Sequence, residues 1–143
     1  MSSIVVVEDE PMVLEMVREM LQGQGFTVRG IRHPGEVAQL NDQDPALFLI
    51  DMLLPDMSGI RVAQLLRESG YPYTPMVAMS ASKIELLFAS RSGLFQETLT
   101  KPFEMDELTA CAHRYADNYV VASQLSSCSA ETVETVVAGK PAT

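Results

Sequence analysis

Two short, wholly apolar runs that end abruptly in acidic residues most limit the fold of this chain. Residues 4–7 read Ile-Val-Val-Val before Glu8 and Asp9, and residues 46–50 read Ala-Leu-Phe-Leu-Ile before Asp51. Apolar runs of this length are typical of strands that are buried on both faces. Such strands occur in parallel sheets that helices cover on both sides. The sequence therefore predicts an α/β fold.

Further strand and helix patterns alternate along the chain. Additional strands are predicted at 26–31, 76–79 and 98–100. Helices are predicted from Pro11 to about Gly23, over 34–40, from Ile60 to about Gly70, over 82–90, and from Met105 to Tyr115. Five strand–helix units over about 120 residues predict a parallel five-stranded sheet with helices on both faces.

Apolar residues at helical spacing indicate which helix faces point toward the core. They are Met12, Met16, Val17, Met20 and Leu21 in the first helix, Val37 and Leu40 in the second, Ile84, Leu87 and Phe88 in the fourth, and Met105, Leu108, Ala112 and Tyr115 in the last. Most of the nine methionines, including Met52, Met57, Met76 and Met79, are likewise predicted to be core residues.

Length and composition suit one domain and a tail. A chain of 143 residues that is 47% hydrophobic can bury one core. We expect residues 1–118 to form the domain and residues 119–143, rich in Ser, Thr, Ala and Val, to be a tail, a helix extension or a linker. The net charge of -9 opposes binding to nucleic acid or anionic membranes. With no signal peptide or membrane-spanning apolar run, a cytoplasmic location is expected.

Polar residues stand at the ends of four predicted strands. They are Glu8, Asp9, Asp51, Ser80 and Lys101. Taken singly, each such residue is more often a turn or capping residue, but in an open parallel sheet these strand ends share one edge, where ligands bind. Clustered carboxylates repel one another unless a cation offsets their charge, and Mg²⁺ prefers oxygen ligands. The joint placement therefore predicts a magnesium site.

The segments VVVEDEP, LIDMLLPDMSG, MSAS and LTKPF resemble, in order and spacing, the motifs of the receiver domain of two-component response regulators. The resemblance covers residues 3–117. It implies a flavodoxin-like (βα)5 doubly wound parallel sheet with strand order 2-1-3-4-5. It also implies that a sensor histidine kinase or a histidine phosphotransfer protein transfers a phosphoryl group to this chain, which then changes its affinity for a downstream protein.

The resemblance assigns roles to the strand-end residues. Asp51 would be the phosphoacceptor, and Ser80 and Lys101 would contact the phosphoryl group. The Mg²⁺ ligands would be Asp9, Asp51, the backbone carbonyl of Leu53 and, through water, Glu8. The family also leads us to expect a cis peptide bond between Lys101 and Pro102.

Three positions bear on the output and the lifetime of the phosphorylated state. Thr98 stands three residues before Lys101, where most receivers have a Tyr or Phe that turns inward, so the usual aromatic readout is missing here. Leu53 and Ser82 stand where the family tunes the loss of the phosphoryl group. Neither has a charged or amide group that would orient water, which predicts a persistent aspartyl phosphate.

Two other functions fit parts of this pattern. An Mg²⁺-dependent phosphatase or phosphotransferase can act through an aspartyl phosphate, but it usually has a second acid two residues after the nucleophile, where this chain has Leu53. A receiver used only for docking would have a broken acidic site. We therefore expect a signalling phosphoacceptor rather than an enzyme, with at most self-phosphorylation from small donors and autodephosphorylation.

Overall fold

The computed structural model describes residues 2–117. Five strands of this region form a single parallel sheet. The strand order is β2-β1-β3-β4-β5, as the family resemblance implies. The strands are β1 (Ser3–Val7), β2 (Thr27–Ile31), β3 (Leu47–Asp51), β4 (Met76–Ser80) and β5 (Glu97–Thr100). All five predicted strands are confirmed, with ends that differ by at most one residue.

Helical segments connect the strands. The α-helices are α1 (Pro11–Gln22), α2 (Gly59–Glu68), α3 (Lys83–Ser92) and α4 (Met105–Ala112). The short helix predicted over 34–40 is a 3-10 helix, Pro34–Gln39. The last helix continues beyond α4 as a π-helical segment, His113–Asp117. Each predicted helix is therefore present.

Local sequence signals account for several helix ends. The side-chain oxygens of Ser58 and Ser82 accept the backbone N–H groups of Arg61 and Glu85 and so cap α2 and α3. Gly93 ends α3 with φ of 76°, a left-handed conformation that glycine adopts without a Cβ clash.

The core lies on both faces of the sheet. Ile4 and Val6 of β1 pack on the side of α1 and α4, whereas Val5 and Val7 pack on the side of α2. All four side chains are completely buried. Alternate residues of a strand point to opposite faces, so a strand apolar at every position contributes to both halves of the core. The two-sided burial predicted for β1 is confirmed.

The predicted inward faces of two helices are partly wrong. Met12 and Met16 on α1 and Met105 on α4 are exposed. The predicted Val17 and Leu21 on α1 and Leu108 and Ala112 on α4 are buried, and Leu14 and Cys111 complete the two inner faces. The helix period and most of each predicted face are confirmed, and the errors lie at Met12, Met16 and Met105, on the solvent-facing edges of the two faces. Met52, Met76 and Met79 are buried as predicted.

The predicted face of α3 is wrong. Ile84, Leu87 and Phe88 are 63%, 47% and 52% exposed. The helix packs instead through Leu86 and Ala89, which join Met52 and Ala78 in a small cluster. Leu86 and Ala89 form a narrow buried strip along α3. Ile84, Leu87 and Phe88 lie outside this strip and therefore face the solvent.

No helix among residues 2–117 has the length and apolar character needed to cross a bilayer. The predicted tail, residues 119–143, lies outside the described residues.

Candidate functional site

The candidate residues occupy the carboxyl ends of four neighbouring strands. Glu8 and Asp9 follow β1, Asp51 ends β3, Ser80 ends β4 and Lys101 follows β5. Because the order within the sheet is β1-β3-β4-β5, these ends lie side by side along one edge. The topology therefore brings the predicted site residues to one region of the surface.

Three of these residues form an acidic cluster. Each residue contributes one carboxylate oxygen, and the three oxygens, from Glu8, Asp9 and Asp51, all lie within 4.8 Å of one another. Oxygen ligands of one Mg²⁺ ion, each at about 2.1 Å, lie roughly 3–4 Å apart, so small adjustments would let the three carboxylates share an ion, directly or through a bound water. Oxygen-only donors are also the set that Mg²⁺ prefers. The chemistry and spacing of the cluster fit the predicted ion.

Lys101 provides the positive charge of the site. Its Nζ atom lies 2.5 Å from Oε1 of Glu8 and 3.4 Å from Oδ2 of Asp51. The peptide bond between Lys101 and Pro102 is cis, as expected. The side chain is 20% exposed, so the ammonium group remains accessible to an incoming anion beside the two carboxylates.

Glu8 is the most deeply buried carboxylate of the cluster, with 1% of its surface exposed. Burial raises the pKa of Glu8 to about 7, and the nearby charge of Asp51 acts in the same direction, whereas Lys101 opposes both. Its Oε2 atom accepts the backbone N–H of Glu10 at 3.2 Å. Glu8 is thus held in place and is also costly to keep ionised, as expected of a group whose charge a cation would offset.

The loop after β3 orients the carboxylate of Asp51. Its Oδ1 atom accepts the backbone N–H of Leu53 at 3.2 Å, and a bridge between Leu53 and Ser58 closes the loop. Gly59 then begins α2 against the end of β3. A Cβ atom on Gly59 would lie 2.7 Å from the carbonyl oxygen of Asp51, closer than real structures allow. The close approach explains why glycine occupies this position.

Ser80 and Thr98 lie on the two strands beyond Asp51. Ser80 is buried, and its Oγ atom accepts the backbone N–H of Ser82 at 3.0 Å. Its carbonyl accepts the backbone N–H of Lys101 at 2.9 Å, which joins two of the predicted site residues. Thr98 is half-buried on β5. The roles assigned to these residues stay predictions.

Sequence patterns missed two contacts of the site. One is the ion pair between Lys101 and Glu8, which belong to strands separated by two others in the sheet. The other is the hydrogen bond between Ser80 and Ser82, for which the Ser-x-Ser spacing was the available signal. Both contacts depend on how the loops after β4 and β5 turn back over the edge.

Comparison with known proteins gives a consistent result. A family model for the response regulator receiver domain matches residues 4–113. The transcriptional regulatory protein TrcR of Mycobacterium tuberculosis is 31% identical over 111 residues, covering 75% of this chain and 42% of that protein. The DNA-binding response regulator MtrA of Mycolicibacterium smegmatis is 33% identical over 109 residues, covering 75% and 47%. The chain therefore spans less than half the length of these relatives.

Solved structures share the fold. The CheY-like response regulator receiver domain protein of Methanospirillum hungatei superposes with a TM-score of 0.73 at 22% identity, covering 83% of this chain and 96% of that one. The response regulator TrrA of Thermotoga maritima, crystallised in complex with Mg²⁺ and BeF, gives 0.71 at 25% identity, covering 80% and 99%.

Proposed function

The chain belongs to the response regulator receiver domain family, and from that premise we propose that Asp51 is the phosphoacceptor of a two-component system. The observation that carries this proposal is the grouping of Asp51 with Glu8, Asp9 and Lys101 at one edge of the sheet. A nucleophilic carboxylate, other oxygen ligands and a lysine form the set that phosphoryl transfer to aspartate requires.

The donor is a sensor histidine kinase or a histidine phosphotransfer protein. A carboxylate oxygen of Asp51 attacks phosphorus as the phosphorus–nitrogen bond of the phosphohistidine breaks. The bonding electron pair stays on the imidazole, which takes a proton. Lys101 lies within 3.4 Å of the acceptor carboxylate and moves toward the oxygens of the transferred group. Ser80 donates its hydroxyl hydrogen to one of those oxygens.

Glu8, Asp9, Asp51 and the backbone carbonyl of Leu53 would hold Mg²⁺, with Glu8 acting through water. When bound, Mg²⁺ offsets negative charge on the acceptor and on the phosphoryl oxygens. The complex of TrrA with Mg²⁺ and BeF supports the same assignment here, since that relative shares the fold.

A turnover enzyme is the second candidate, and one observation disfavours it. Leu53 occupies the position where a phosphatase of this chemistry would carry its general acid, and its apolar side chain is 55% exposed beside Asp51. Leucine cannot donate a proton to a leaving group. The chain acts as a signalling phosphoacceptor in the cytoplasm that binds a downstream protein when phosphorylated. Its net charge of -9 argues against direct DNA contact by this chain, although its relatives include DNA-binding regulators.

Intact-protein mass after incubation with acetyl phosphate and Mg²⁺ tests the proposal. The parent should gain one phosphoryl group, and Asp51→Asn should gain none. Asp56→Asn is a matched control, since Asp56 lies in the same loop but outside the acidic cluster, and it should be modified like the parent. An unmodified parent, or a modified Asp51→Asn variant, would refute the assignment.

A further inference from the structure

A cleft opens at the end of the sheet opposite the acidic cluster. Two loops line it, residues 40–45 and residues 69–74, and its volume is about 570 Å³. These loops lead into the amino ends of β3 and β4, whereas Asp51 and Ser80 stand at the carboxyl ends of the same strands. Pockets of about 300–1,000 Å³ are the size that small ligands occupy in proteins. The cleft is therefore large enough for a ligand and separate from the acidic cluster.

Hydrogen bonds fix both walls of the cleft. The Nη1 atom of Arg67 donates to the backbone carbonyls of Tyr71 and Thr74 at 2.8 and 2.7 Å, which holds the loop after α2 in place. The hydroxyl of Tyr71 donates to the carbonyl of Asp42 at 2.7 Å and so connects the two loops. The ring of Tyr71 also packs edge-on against Phe48 of β3, with 5.2 Å between the ring centroids. The cleft thus has its shape before a ligand binds, which lowers the entropic cost of binding.

The charges around the cleft favour a cation. The side chains of Asp42 and Asp44 line it, and none of its lining residues, all of them in the described part of the chain, is Lys, Arg or His. Asp42 forms an ion pair at 3.5 Å with Arg29, which is not a lining residue, and Asp44 is exposed at the rim. The whole chain carries a net charge of -9. A cationic ligand would therefore be attracted to the cleft and an anionic one repelled.

Tyr73 adds an aromatic surface to these carboxylates. It lines the cleft and is 90% exposed. A guanidinium group stacks on an aromatic face and also donates hydrogen bonds to oxygen acceptors in its own plane, so it can use the ring and a carboxylate together. Asn41 and Gln43 line the same cleft and have further side-chain oxygens that accept hydrogen bonds. An ammonium group is a compact point charge and matches this set less well.

We propose that this cleft binds a small organic cation that carries a guanidinium group. The guanidinium stacks on Tyr73 and donates to the carboxylate of Asp44, while the alkyl part of the ligand packs on Leu40 and Pro45, which are buried in the lining. An arginine side chain in a peptide has the same chemistry, so the experiment compares the two sources. The inference does not depend on the proposed function, because it uses no residue of the acidic cluster and requires no phosphoryl group.

NMR titration of the whole isotope-labelled chain with butylguanidinium, at constant ionic strength, tests the proposal. The amides of residues 40–45 and 69–74 should shift and saturate with a dissociation constant of roughly 1 mM, an affinity within reach of a ligand of about eight non-hydrogen atoms. Butylurea has nearly the same shape without the charge and should bind at least about tenfold more weakly. Absence of shifts in both loops, or equal binding of butylurea, would overturn the proposal.

Variants test the two side chains that the proposal names. Tyr73→Ala should weaken binding about three- to fivefold, the factor for a cation–π contact at an exposed site, and Tyr73→Phe should keep the affinity of the parent. Asp44→Asn should weaken binding by about the same factor, and asparagine tolerates the φ of 50° found at this position. Asp106→Asn removes an equal charge on exposed α4 and should bind like the parent. Unchanged affinity in both Tyr73→Ala and Asp44→Asn would overturn the proposal.

Two further probes define the ligand. Butylammonium should bind more weakly than butylguanidinium, and equal or tighter binding would overturn the assignment of a guanidinium group. A blocked Gly-Arg-Gly peptide carries the same group on a peptide backbone. Tighter binding of butylguanidinium than of the peptide supports a small-molecule ligand, as proposed. Binding of the peptide alone would overturn the small-molecule assignment and identify the cleft as a site for an arginine side chain of a partner.

Discussion

Lys101 is paired with Glu8: its Nζ atom lies 2.5 Å from Oε1 of Glu8 and 3.4 Å from Oδ2 of Asp51. The lysine therefore stabilises a buried glutamate before any phosphoryl group arrives. Under the proposed function, a phosphoryl group on Asp51 would compete with Glu8 for the same ammonium. We therefore expect acceptance of the phosphoryl group to depend on the charge state of Glu8.

Stability in the absence of Mg²⁺ should depend on Glu8. Its pKa is about 7 in the folded chain against an ordinary value of 4.5, so between these values the folded chain retains a proton that the unfolded chain has lost. The free energy of unfolding should therefore fall as pH rises from about 4.5 to about 7, by at most about 3 kcal/mol. Urea unfolding in a chelator at several pH values measures this slope.

Glu8→Gln should flatten that pH dependence, whereas the exposed Glu36→Gln should leave it unchanged. Adding Mg²⁺ should stabilise the parent more at pH 8 than at pH 5, because the ionised cluster binds the cation more tightly. An equally steep slope in Glu8→Gln would show that another group causes the dependence.

Gly59 should be essential for the geometry of the acceptor. In Gly59→Ala, the new Cβ atom would meet the carbonyl oxygen of Asp51 at 2.7 Å and Cα of Met52 at 2.8 Å, both backbone atoms. We expect a loss of about 1–3 kcal/mol in the free energy of unfolding and slower phosphorylation by acetyl phosphate. Gly35→Ala is the control, since a Cβ atom there has open space. Equal behaviour of the two variants would contradict this view of the loop.

The aspartyl phosphate should persist, because Leu53 offers no group to orient water. Leu53→Asn should shorten its lifetime about tenfold, less than the roughly 10²–10⁴-fold that a positioned proton-transfer group contributes. Leu53→Met keeps an apolar side chain and should resemble the parent. Loss of radiolabelled phosphate over time in the presence of Mg²⁺ gives the lifetimes. A parent lifetime of seconds would rule out a persistent phosphate.

Cys111 should be unreactive in the folded chain. Burial, with a smaller contribution from the charge of Glu97, raises the pKa of its thiol to about 12, so almost no thiolate forms at pH 8. Cys128 is the other cysteine of the chain, so the experiment uses a Cys128→Ser background. In that background, iodoacetamide should modify Cys111 only after unfolding in urea, where the thiol returns to its ordinary pKa. Modification at similar rates in folded and unfolded samples would contradict the buried position of Cys111.

The sequence predicted the three central strands, β1, β3 and β4, well because they are apolar at nearly every position. For β1 and β3, the prediction did not have to decide which face of the strand points to the core, since both faces are buried. A helix buries one face, so its prediction must decide which face that is. The decision was wrong for α3. Ile84, Leu87 and Phe88 have the right spacing for an inner face, but the space above the sheet accommodates only Leu86 and Ala89. Periodicity gives the repeat of a helix and does not determine its rotation.

The candidate site was predictable where it depends on strand ends and not where it depends on loops. The parallel arrangement of β3 and β4 places Asp51 and Ser80 at the same edge of the sheet, independent of the conformation of the loops. The contact between Lys101 and Glu8 depends on the turn after β5, which brings a residue from an edge strand back across the sheet. Strand spacing alone would keep these two residues apart.

Chemical identification of the modified residue tests the central claim most directly. Borohydride reduces an aspartyl phosphate to homoserine, so peptide mass spectrometry after phosphorylation with acetyl phosphate and Mg²⁺ locates the acceptor. We predict homoserine at position 51 and at no other position. Homoserine at position 9 or at any other aspartate, or none at position 51, would contradict the assignment of Asp51 as the phosphoacceptor.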